Sequence, residues 1–89
     1  MPANKLDNNL DGASPINTYC TGDLYLSAFL KARGLRLVGK RRSGERFDFV
    51  FTDRADRKEL IQEFFNDGAV NITAFKNAIQ DLKTMVFNT

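Results

Sequence analysis

Seven cationic side chains fall within residues 31–46: Lys31, Arg33, Arg36, Lys40, Arg41, Arg42 and Arg46, opposed by Glu45 alone. The local excess is six, while the whole chain carries only +2, so the remaining residues are acidic by four. Cations gathered in this way neutralise phosphates and release the counterions that surround them. Arg36, Lys40, Arg42 and Arg46 are the candidate polyanion-binding residues on this reading. The alternative reading of the same charges is protective, because Lys and Arg on an exposed hairpin discourage edge-to-edge pairing.

Other reactive side chains point to little chemistry. The chain has no histidine, which removes the commonest general base and the commonest metal ligand. Cys20 is the single cysteine, so no disulfide forms within one chain, and a lone thiol suits a reducing compartment. No base lies beside it in sequence, and it reads as a small half-buried hydrophobe. Tyr19, Thr21, Asp23 and Tyr25 gather at the start of a helical segment. That grouping suits a ligand at a helix N-terminus, or simply a helix cap packed by aromatics. Asp53, Asp56, Glu59 and Glu63 alternate with Arg54, Arg57 and Lys58, which describes a solvated face with local ion pairs and no metal site.

The elements that must position these residues follow from periodicity. Residues 1–18 hold only Leu6, Leu10 and Ile16 beyond the initiator methionine as larger aliphatic groups, among Asn, Asp, Gly, Ser and Pro. A polar stretch of this kind buries too little surface to offset its ordering entropy, and a flexible tail is expected there. Residues 19–89 remain for one compact domain. A first helix over residues 22–33, capped by Thr21, carries an apolar arc of Leu24, Leu26, Ala28, Phe29, Leu30 and Ala32. Gly34 ends it in the left-handed conformation.

Two runs of period two follow, Leu35 to Lys40 and Arg46 to Thr52, and they form a hairpin. A two-residue Ser43-Gly44 loop scatters apolar groups over both faces. A three-residue loop, Arg42-Ser43-Gly44, sets Leu37 opposite Phe49, Leu35 opposite Phe51 and Gly39 opposite Phe47, giving one apolar face. On that register Arg36, Lys40 and Arg46 share the outer face with Val38 and Val50, Arg42 sits at the tip, and Arg41 points the other way.

A second helix begins at an Asp53 cap and buries Leu60, Ile61, Phe64 and Phe65 before ending near Gly68. A third, capped by Asn71, carries the stripe Ile72, Phe75, Ile79, Leu82 and Val86. The expected fold is α+β in the order α-β-β-α-α, an antiparallel β-hairpin with helices packed on one face.

The run from Asp23 to Leu30, then Ala32-Arg33-Gly34, Phe49-Val50-Phe51, Asp53, Phe64-Phe65-Asn66 and Leu82-Lys83 resembles a family of small uncharacterised bacterial and phage-associated domains, catalogued as a domain of unknown function. The likeness spans about residues 19 to 86. Gly22 stands where that family's pattern has a capping serine. The resemblance implies the fold and a microbial origin, and it transfers no functional residue.

The sequence therefore excludes a recognisable enzyme: no catalytic residue, no metal site and no cofactor is expected. No apolar run reaches the roughly 20 residues of a membrane span, and the N-terminus lacks a signal-peptide pattern, so no membrane partner and a cytoplasmic location are expected. Two functions remain. One is a binding module contacting nucleic acid or another polyanion through the hairpin. The other is a protein-interaction or homodimerisation module. The outer hairpin face lacks an aromatic, which disfavours base stacking.

Overall fold

The computed structural model describes residues 17–87. The elements run β1 (Thr18–Thr21), α1 (Leu24–Ala32), β2 (Leu37–Ser43), β3 (Arg46–Thr52), α2 (Arg57–Phe65) and α3 (Ile72–Phe87). The three strands form one antiparallel sheet in the order β1-β3-β2, with the helices layered on one face. The α+β class and the hairpin agree with the sequence, and the strand preceding α1 is an addition to it. Thr18, Tyr19, Cys20 and Thr21 are β-branched, aromatic or small, types that suit a pleated surface. Their partners lie 28 to 34 residues downstream, Tyr19 opposite Phe51 and Thr21 opposite Phe49, so no local pattern reveals the pairing. The domain thus begins before residue 19, since Thr18 pairs with Thr52 and the Asn17 carbonyl accepts the Asp53 N–H at 2.9 Å. The tail expected over residues 1–18 otherwise lies outside the described residues.

α1 occupies the centre of the helical layer. Residues 26–30 are all buried, which is the wide apolar arc expected of a helix covered on several sides. Its cap is Asp23 and not Thr21: the Asp23 carboxylate accepts the Leu26 N–H at 2.9 Å, while Thr21 Oγ1 accepts the Asp23 N–H at 3.2 Å. The far end closes as a Schellman motif, with Gly34 N–H donating to Lys31 O and Leu35 N–H to Leu30 O. Gly34 sits at φ 102°, where any Cβ is strained.

α2 starts later than expected. Asp56 holds the cap position without a side-chain cap bond, and Asp53 instead accepts from the Arg54 N–H and from Arg57 Nε. Asn71 caps α3 as expected, accepting the Ala74 N–H at 2.9 Å. Leu26, Phe29, Leu30, Leu35, Phe49, Phe51, Leu60, Ala78 and Leu82 close the core between the layers. Phe65 and Ile72, both expected inside, are 68% and 75% exposed. Phe65 lies at the last turn of α2, stacked edge-on against Phe64 at 5.0 Å, and Ile72 is the first residue of α3.

Candidate functional site

The hairpin register decides where the cations point. Ser43 pairs with Arg46, Arg42 with Phe47, Arg41 with Asp48, Lys40 with Phe49 and Gly39 with Val50. The turn is therefore the two-residue Gly44-Glu45, with Gly44 at φ 65°, and neither loop weighed from the sequence. Between Leu37 and Gly39 the register shifts by one residue, and the expected pairs are displaced: Leu37 meets Phe51 in place of Phe49, Lys40 takes the place opposite Phe49, and Arg42 that opposite Phe47. Val38 is the extra residue of this bulge and stands 59% exposed at the sheet edge. Bulge and turn offset one another: Leu37 keeps the core face, as expected, while every residue from Lys40 to the tip changes side.

Arg36, Lys40 and Arg46 consequently do not share a face. Lys40 and Arg42 lie on the helix-facing side with Phe49 and Phe47, whereas Arg41 and Arg46 alternate to the open side, and the Arg46 side chain, at the start of β3, also lines the cleft between the sheet and α3. Lys40 is tied to the fold, its Nζ donating to the Met85 carbonyl at 2.6 Å from 5.1 Å above the Phe47 ring. That carbonyl belongs to the last described turn of α3, where the helix dipole favours a cation. Lys40 serves as a cap before it can serve a ligand. Arg42 is exposed, stacked 5.5 Å from the same ring, with Nε donating to the Gly44 carbonyl at 3.0 Å. Arg41 pairs with Asp48 at 3.4 Å. Arg36 is exposed just before β2, its carbonyl accepting the Thr52 N–H. Among the described residues, Arg36 and Arg46 make no ion pair, and Glu45 is the single acid at the tip.

A second feature adjoins the hairpin. An apolar cleft of about 340 Å³ opens between the sheet and the end of α3, floored by Leu24, Phe47, Phe49, Val86 and Phe87, with Gly22 at one side. Arg46 and Lys83 complete its lining. Periodicity gave no hint of it, because its walls come from α1, β3 and the last turn of α3, distant in sequence.

The remaining reactive groups are structural. Cys20 is half-buried in β1 opposite Val50. Tyr19 carries the Arg57 guanidinium 4.3 Å above its ring. The α2 charges form local pairs, Arg54 with Asp56 at 2.7 Å and Arg57 with Asp53 at 3.1 Å. The Arg54 hydrogen bond holds the Asp56 carboxyl below the usual carboxylate range, and the Asp53 hydrogen bond raises the Arg57 guanidinium. Among the described residues no group of three or more Cys, Asp or Glu is placed to hold a metal ion, and no helix is long and apolar enough to cross a membrane.

A family described as a domain of unknown function, DUF5659, matches residues 16–88. The chain belongs to that family. The match begins just ahead of β1, so the DUF5659 domain takes in the strand that periodicity missed. No curated protein and no solved structure matches this chain.

Proposed function

We propose that this domain is a non-catalytic binding module that contacts nucleic acid through its basic hairpin. The observation that carries the reading is the distribution of charge on the ribbon. Arg42 projects from one face and Arg41 and Arg46 from the other, with Arg36 at the base. A two-stranded ribbon fits the major groove, and cations on both of its faces meet phosphates on both walls. No aromatic lies among the open-face residues of β2 and β3, consistent with backbone contact in place of base stacking. On this reading the domain works in the cytoplasm with Cys20 reduced. A protein-interaction or homodimerisation role is the competing account of the same surface.

The test is a titration of fluorescent duplex DNA, single-stranded DNA and RNA across a salt series. Each phosphate neutralised on duplex DNA contributes about 0.9 to the logarithmic salt slope, so Arg42→Ala with Arg46→Ala should flatten it by about 1.8. Arg41→Ala should flatten it less, because Asp48 already pairs with that guanidinium. Lys40 is a poor probe, being engaged at Met85. Absence of binding to every nucleic acid at low salt overturns the reading, and a sedimentation mass of two chains would then favour homodimerisation.

A further inference from the structure

The cleft between β3 and the end of α3 combines an apolar floor with two cations in its lining. Its floor is apolar and includes Phe87, which is 79% exposed and so leaves an aromatic face bare to solvent. Its lining ends in two cations on separate elements, Arg46 of β3 and Lys83 of α3. Neither makes an ion pair among the described residues. Asp48 adjoins the cleft, its Oδ1 and Arg46 Nη2 each lying 3.0 Å from where a Cβ on Gly22 would stand, and that carboxylate is already paired with Arg41. Gly22 thus keeps this corner open, and a side chain there would press on the Arg46 guanidinium. The cavity lies at the small end of the range for small-molecule sites, and eight residues line it, against the 20–30 a side of a stable protein interface.

We propose that the cleft binds an anionic amphiphile, a straight-chain carboxylate whose apolar body lies on Leu24, Phe47, Phe49, Val86 and Phe87 and whose carboxylate is shared by Arg46 and Lys83. The apolar floor supplies affinity in proportion to the methylenes buried, and the cations select the sign of the head group. This assignment stands apart from the nucleic-acid reading, although both use Arg46.

The experiment titrates the full chain, isotopically labelled, with hexanoate, octanoate and decanoate below their aggregation limits, and with decanol and decyltrimethylammonium as head-group controls. Amide shift changes should saturate and cluster at residues 22–24, 46–49 and 83–87. Affinity should rise by about fourfold per methylene buried until the cleft is full. Decanol and the ammonium should bind at least tenfold more weakly. Arg46→Glu with Lys83→Glu should abolish the preference for carboxylate, and Phe87→Ala should weaken decanoate while leaving nucleic-acid titrations unchanged; unaltered amide spectra elsewhere confirm that both variants fold. The proposal is overturned by any of three results: no saturable binding, equal binding of the cationic and anionic amphiphiles, or shift changes centred on another exposed apolar residue, Tyr25, Val38, Phe65 or Ile72.

Discussion

Ser27 has no solvent-exposed surface, and its hydroxyl has no hydrogen-bond partner. It sits in the middle of α1 among Leu26, Ala28, Phe29 and Leu30, so the fold carries the desolvation of a polar group without return. Alanine removes the orphaned hydroxyl, fills nearly the same volume and is the better helix former. Ser27→Ala should therefore raise stability by about 1 kcal/mol, read as an increase in Tm of about 4–8 °C for a domain of this size. An unchanged or lowered Tm would show that the hydroxyl is satisfied in solution. Residue by residue, what the sequence reveals depends on how local the cause is. Gly34 was legible as a helix end because the Schellman geometry is complete within six residues of chain. Asn71 was legible as a cap for the same reason. Thr21 and Asp23 are both good cap types two residues apart, and only the pairing of Thr21 into β1 decides which one fills the role. Gly68 reached its position for a reason that no pattern displays: a Cβ there would stand 2.5 Å from the Glu63 carbonyl oxygen.

At the scale of elements, the three helices and the hairpin follow from apolar spacing, and the faces of the hairpin do not. Alternation assigns sides only while the count is unbroken, and a bulge shifts the count by one. The phenylalanines of β3 were placed correctly because β3 is continuous. The cations of β2 were not, because Val38 lies between Leu37, which anchors the register, and Lys40, whose side depends on it. The candidate site inherits that error: Arg42 and Arg46 flank the tip from opposite faces, and Lys40 is drawn inward to a helix end. Apolar spacing likewise cannot separate Phe64 from Phe65, neighbours on one helix of which one is half-buried and the other exposed. A paired measurement tests the placement. Phe49→Ala, at 3% exposure and beside the core of α1, should cost about 3–5 kcal/mol, while Phe65→Ala should stay near the 0.5 kcal/mol typical of surface positions. Urea midpoints of the two variants give the comparison. Similar losses for both would mean that Phe65 is covered in solution, by a partner or a second copy.

The molecule as a whole is a two-layer sandwich of about 70 residues, a size at which a single core yields only a few kcal/mol of net stability. Every peripheral element then matters, β1 among them. It pairs along β3 from Thr18–Thr52 to Thr21–Phe49, converting β3 from an edge into the central strand. It also lays Tyr19 opposite Phe51, where the ring packs partly against the core and carries the Arg57 guanidinium on its outer side. Removing residues 1–16 takes away a polar segment whose composition offers little to bury, and the midpoint of thermal unfolding should hardly move. Removing residues 1–21 takes away β1 itself. Its ladder bonds, each contributing about 1 kcal/mol net, and the cover of Tyr19 over Phe51 together amount to about 3 kcal/mol or more. At about 4–8 °C per kcal/mol, that loss lowers Tm by at least 12 °C. It also exposes the β3 edge with Phe47, Phe49 and Phe51 beside it, so the shorter protein should aggregate at concentrations where the longer one stays dispersed. Differential scanning calorimetry and light scattering on the two truncations give the answer. A large loss on removing residues 1–16 would place structural weight ahead of β1, and equal stability of both truncations would mean that β1 adds nothing to the sheet in solution.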